Sequence, residues 1–194
     1  MGLLIFVTVL WAFSFSLIGE FLAGRVDSDF AVLTRVVLAA LVFLPLTRWR
    51  GVPGGLKLGE LVTGMLRFGV TYLCLYRSFS YLTVPEVLLF TIFTPLYVTL
   101  IDDALYRRFS PIALVAAAVA TLGAGIIRYD GLSQGFITGF LLLQVANFTF
   151  AAGQVGYKHT MMRFPTELPA YRTFGYFFFG ALIIALPSFL IFGD

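Results

Sequence analysis

Glu20, Arg35, Arg77 and Glu86 each stand near the end of a long apolar run, where a lipid bilayer makes an ionised side chain expensive. Insertion scales put that cost at roughly 2.5–3.5 kcal/mol per residue, so such groups serve ion pairs or line a polar path. Two acids and two bases at similar depth invite neutral pairing. Arg77 and Glu86 flank a tight hairpin about one turn from its tip, which makes them natural partners. An arginine left outside such a pair can grip a carboxylate through two parallel hydrogen bonds. Arg35 is the first candidate for that role and Arg77 the second. Glu20 and Glu86 are the acids able to carry a coupling proton, although an interfacial place is the stronger expectation for Glu20.

Other polar side chains lie deeper. Asn147 and Gln154 are seven residues apart and share a helix face, either as glue between helices or as groups lining a cavity. Tyr72 is deep enough to line a path, whereas Tyr81 belongs with the aromatic belt at the interface. Arg67 sits near the middle of its run, and its long stem lets it snorkel to the nearer surface. His159 has no cysteine or second histidine near it and Cys74 stands alone, so neither a zinc-type cluster nor an internal disulfide can be built. No cofactor is called for.

These residues must be held by membrane-spanning helices. The chain is 60% apolar and 12% charged, with 22 phenylalanines and a mean hydropathy of +0.96, which excludes a soluble globular domain. Runs near twenty residues are long enough to span. Seven are read, at 2–22, 29–46, 58–80, 83–101, 110–128, 135–157 and 170–192. The third runs almost directly into the fourth. The first lacks a basic leader and a small-residue cleavage site, so it is expected to be retained. Arg48, Arg50, Lys57, Arg107, Arg108, Lys158 and Arg163 fall on one side of this arrangement, against Arg25 and Arg128 on the other. That bias places the first set, and the N-terminus, in the cytoplasm and Asp194 outside. The formal charge of +3 reflects these loops and signals no nucleic-acid partner.

A faint duplication organises the spans. Phe13-Ser14-Phe15 reappears as Phe148-Thr149-Phe150, and Arg35 as Arg172, at an offset of about 136 residues. Five spans separate the copies, so the second runs inverted through the membrane. Inverted repeats with a site between them are typical of secondary transporters. On this reading 1–130 is a first five-helix repeat and 131–194 begins a second. The chain is then an all-α polytopic membrane protein showing about seven of an expected ten helices.

Leu10-Trp11-Ala12-Phe13-Ser14-Phe15 and Phe30-Ala31-Val32-Leu33-Thr34-Arg35 resemble the EamA-like half of the drug/metabolite transporter superfamily. The segments at 82–91, 94–97, 123–130 and 155–158 are similar to its carboxylate/amino-acid/amine branch, and within that to the enterobacterial biotin uptake carriers. The resemblance runs through the whole chain. It implies ten helices in two inverted halves, an inner-membrane location and inward movement of a small carboxylate such as biotin. Arg35 or Arg77 would then hold the carboxylate, Asn147 or Gln154 the ureido group, and aromatic side chains the ring. Export of amino acids or amines is the alternative within the same branch, and a truncated, non-functional carrier is another. An enzyme is not expected, since H-E-x-x-H and G-x-S-x-G are both lacking. A homodimer is one way of supplying helices, and the residues do not select it.

Overall fold

The computed structural model describes residues 2–22, 25–127 and 134–193. The Arg128 charge, the Asp130-Gly131 turn and the placement of Asp194 lie outside the described residues. Seven helical segments account for the rest: α1 (Gly2–Leu22), α2 (Ser28–Phe43), α3 (Gly54–Ser78), α4 (Val84–Tyr106), α5 (Pro111–Ile127), α6 (Gln134–Arg163) and α7 (Phe174–Phe192). Five of them, α1, α3, α4, α6 and α7, are long and apolar enough to cross a membrane. The chain is a multi-pass, all-α membrane protein.

Local chemistry sets the helix ends. The Asp27 carboxylate accepts from the Phe30 amide at 2.7 Å and starts α2. The expected span 29–46 stops at Phe43, because Pro45 cannot continue a helix and the chain turns through Leu46 and Thr47 instead. At 16 residues α2 is about 24 Å long, short of the ~30 Å hydrocarbon core. Thr83 and Glu86 close a capping box at the start of α4, with the Thr83 amide and hydroxyl both donating to one Glu86 oxygen, at 2.6 and 2.8 Å. A 3-10 turn at Thr91–Phe93 precedes Pro95 and breaks α4 mid-membrane. Arg107, in the left-handed region at φ 51°, ends it.

The helix α3 is the hub. It packs on α6 and α7, while α2 lies along α7 and α4 along α6. Val32, Val36, Leu73, Tyr76, Val87, Phe90, Leu143, Ala181 and Ala185 are buried where these helices meet. Lipid is as apolar as leucine, so burial alone does not hold helices together in a bilayer; close backbone approach and interhelical hydrogen bonds do. Gly64 meets the backbone of Phe177, and Gly180 meets the Leu61 carbonyl, so α3 and α7 touch main chain to main chain. The Thr71 and Thr149 hydroxyls bridge α3 to α6 at 2.9 Å. The outward faces of α1 and α5 are apolar, as lipid requires, with Leu3, Phe6, Leu10, Ile112 and Val119 all exposed.

This contact makes a prediction. Gly180→Ala places a methyl group against the Leu61 carbonyl and forces α7 off α3, at a cost of about 1–3 kcal/mol. Gly123→Ala, which adds a methyl into open space, leaves stability unchanged. Thermal unfolding in detergent compares the two, and equal midpoints would remove the Gly180–Leu61 contact from the account.

Candidate functional site

Between Met65 and Val70 the hub helix α3 loosens into a π-helical stretch. Such a stretch packs in an extra residue, re-aims the side chains after it, and recurs at functional sites. Arg67 and Phe68 lie on it. Gly153 of α6 faces the Cβ and backbone of Arg67, and its missing side chain leaves the room in which Arg67 sits.

Arg67 and Phe68 line a cavity of about 220 Å³ together with Phe43 of α2, Tyr157 of α6, and Phe174, Phe177 and Phe178 of α7. The walls are rings packed on one another. Phe178 stacks on Phe43 and on Phe68, with centroids 5.2 and 5.3 Å apart, and Tyr157 meets Phe177 at 5.4 Å. Arg67 is the one charged residue in this lining. Its guanidinium lies 4.8 Å from the centre of the Phe150 ring and 5.8 Å from that of Phe68. Ring faces hold a cation without using its N–H donors. The Arg67 Nε has no hydrogen-bond partner among the described residues. An arginine with an unbonded Nε in an aromatic box can take a planar anion on the fork and an apolar ring system on the walls.

Tyr72 continues the aromatic row, with its ring 5.6 Å from Phe68. Arg35 lies 4.6 Å over the Tyr72 ring and donates to the Tyr76 hydroxyl at 3.3 Å. Arg35 and Tyr72 therefore adjoin the cavity and stand outside its lining. Arg77 is engaged elsewhere. Its guanidinium forks onto Asp29 with contacts of 2.8, 2.9 and 3.2 Å, and Ser188 of α7 donates to the same carboxylate at 2.5 Å. The expected Arg77–Glu86 pair is thus replaced by Arg77–Asp29. Glu86 is bound into the capping box and faces the start of its own helix.

Asn147 is buried. It donates to the Phe90 carbonyl at 2.9 Å and accepts from Thr94 at 3.2 Å, tying α6 to the break in α4. Gln154, two turns along, is exposed, so the structure does not bring the two amides together at one surface. Glu20 is exposed and borders a separate, open hollow of about 490 Å³ with Ser80 and Thr83. Among the described residues, no group of three or more histidine, cysteine, aspartate or glutamate side chains can hold a metal.

Sequence reading did not select three residues for the site. Arg67 carried a signal in its mid-span depth. Asp29 begins the run read at 29–46, and its place in the first turn of α2 puts it level with Arg77. Glu60 is wholly buried on α3, one of only a few buried acids here; it lies inside the run read at 58–80, where only packing reveals its burial.

Comparison with known proteins now bears on this geometry. The family model of the EamA-like transporter family matches residues 1–129. The chain is 66% identical over 194 residues to a "Probable biotin transporter" of Pseudomonas aeruginosa, aligning along its whole length with 68% of that protein. It is 50% identical over 197 residues to the "Biotin transporter" of Escherichia coli K12, and 48% identical to that of Salmonella typhimurium, covering 64% of each. The chain thus spans about two thirds of the length of the curated relatives it matches. No solved structure gave a significant match.

Proposed function

This chain belongs to the EamA-like transporter family, and on that premise we propose that it forms the larger part of a carrier moving biotin inward across a bacterial inner membrane. One observation carries the reading: an aromatic cavity inside the helix bundle with one arginine in its lining, Arg67, whose Nε has no partner among the described residues. Biotin is a carboxylate joined by an aliphatic chain to a compact bicycle, and this lining offers a partner for each part. At about 220 Å³ the cavity is smaller than the ~300–1,000 Å³ of most ligand pockets, which favours a compact metabolite. An exported amine fits less well, because the lining presents a cation and no acid.

Arg67 is the proposed anchor, with Arg35 and Tyr72 as a neighbouring relay of the same aromatic row. Arg77 and Glu86 hold helices in place, and Asn147 supports the break in α4. Residues 1–130 form the first of two inverted five-helix repeats and 131–194 begin the second. Two features support that arrangement. The family match ends at 129, and the repeat-related helices α2 and α7 lie side by side, as helices flanking a pseudo-two-fold axis do.

For orientation, the basic residues gather at one end of the bundle. Lys158 pairs with Asp102 at 2.7 Å, Lys57 donates to the Trp49 carbonyl at 2.9 Å, and Tyr176 donates to the Arg48 carbonyl at 2.8 Å. The positive-inside bias makes that end cytoplasmic, and the Asp29–Arg77 end faces outward.

Labelled-biotin uptake tests the reading, in bacteria that neither make biotin nor possess a carrier for it. The chain is expressed alone and joined to the part of the Pseudomonas relative that it does not cover. Saturable uptake by the fusion is expected. Its absence, with membrane insertion verified, would overturn biotin as the substrate.

A further inference from the structure

Glu60 is wholly buried, and neither carboxyl oxygen has a hydrogen-bond partner among the described residues. The groups that face it from neighbouring helices are Tyr157 of α6 and Tyr176 and Thr173 of α7. Two of the three direct their hydroxyl protons away. Tyr176 donates to the Arg48 carbonyl at 2.8 Å, and Thr173 to the Ala170 carbonyl at 3.1 Å. On its own helix, Lys57 one turn earlier donates to the Trp49 carbonyl at 2.9 Å. Nothing described here balances a negative charge on Glu60, and a bare buried carboxylate is among the costliest groups a fold can contain.

The position is as telling as the burial. Glu60 and Arg67 are seven residues apart on α3, two turns along one face and about 10 Å along the axis. Tyr157 lies between them, lining the Arg67 cavity while its hydroxyl feels both the carboxyl and the guanidinium. A buried acid without a hydrogen-bond partner among the described residues thus stands next to an aromatic cavity whose lining holds one charged group, a cation.

We propose that Glu60 carries a proton in this conformation, and that its protonation is linked to carboxylate binding at Arg67, so that carboxylate and proton cross together. This rests on the Arg67 site proposed above. The charges balance through the cycle. Where Glu60 is open to water and the site is empty, an ionised Glu60 offsets Arg67; buried as it is here, Glu60 holds a proton instead. When a substrate carboxylate binds Arg67 it brings one further negative charge, and one proton taken by Glu60 from the open aqueous side restores the balance. On the other side the carboxylate leaves as an anion and Glu60 returns its proton to water, with no bond broken beyond the O–H. At ~10 Å and an effective dielectric near 20, neutralising Arg67 shifts the Glu60 proton equilibrium by about tenfold. Linkage makes the effect reciprocal, so protonating Glu60 tightens carboxylate binding by the same factor.

The test uses infrared difference spectroscopy and biotin binding on the detergent-solubilised fusion of the uptake experiment, wild type against Glu60→Gln. Glutamine matches the neutral acid in shape and keeps the fold. The expected result is a protonated-carboxyl stretching band at neutral pH that Glu60→Gln removes. With it, wild-type biotin affinity weakens about tenfold as Glu60 loses its proton at high pH, while Glu60→Gln binds independently of pH. A wild type lacking the band, or a variant with the same pH profile as wild type, overturns the proposal. A band that Glu60→Gln removes in a protein that binds no biotin upholds Glu60 as a proton site and overturns the substrate reading instead.

Discussion

Arg67→Ala raises the KM for biotin uptake by about 10- to 100-fold and leaves the protein in the membrane at its normal level. The size follows from the bond it removes. Hydrogen bonds to charged groups contribute about 1.5–3 kcal/mol each, and 1.4 kcal/mol is tenfold in affinity. Stability is spared because, among the described residues, the guanidinium makes no ion pair to break; it rests on ring faces, and its Nε is unbonded. Arg67→Lys keeps the charge but loses the planar fork, so its KM falls between the two. Arg35→Ala produces a smaller change than Arg67→Ala, since Arg35 reaches the cavity only through Tyr72. Concentration-dependent uptake with all three variants checks the order. A KM for Arg67→Ala equal to wild type, beside a large rise for Arg35→Ala, would transfer the anchor to Arg35.

The contrast between these two arginines shows what the sequence could and could not convey. Apolar runs of about twenty residues announced the helices, since nothing else in a chain so apolar can satisfy its backbone within lipid. The capping box was also written locally, in Thr83 and Glu86 three residues apart, and it should have withdrawn Glu86 from the search for an ion-pair partner. The end of α2 was visible in Pro45. By contrast, the direction of Arg67 depends on the π-helical stretch at Met65–Val70 and on the gap opened by Gly153, neither of which leaves a periodic trace. Depth along a helix can be counted from residues, but azimuth cannot once the helix changes its pitch. Asn147 and Gln154 repeat the lesson: spacing put them on one face, and only packing decides that α4 covers the first and leaves the second exposed.

Arg77→Leu destabilises the bundle by about 3–5 kcal/mol, whereas Asp29→Leu combined with Arg77→Leu costs little or nothing. Asp29 is 3% exposed, and its carboxylate is held by the Arg77 fork and the Ser188 hydroxyl, so three helices, α2, α3 and α7, converge on one charge. Removing the cation alone strands that charge in a low dielectric, which is the expensive event. Removing both partners replaces an ion pair by apolar surface, and for buried pairs that exchange is commonly neutral or favourable. The Arg77 side chain is 36% exposed, which draws the single-variant cost toward the low end of the range. Thermal unfolding in detergent of the two single variants and the double variant gives the coupling directly. Glu86→Gln serves as the internal control: it disturbs the start of α4 but leaves the coupling between Asp29 and Arg77 intact. A coupling that vanished in the Glu86→Gln background would restore Glu86 as the partner of Arg77. In a carrier that must rock, a pair joining α2, α3 and α7 at one end of the bundle is also a latch. The double variant, stable but unlatched, is therefore expected to bind substrate normally while its transport rate changes.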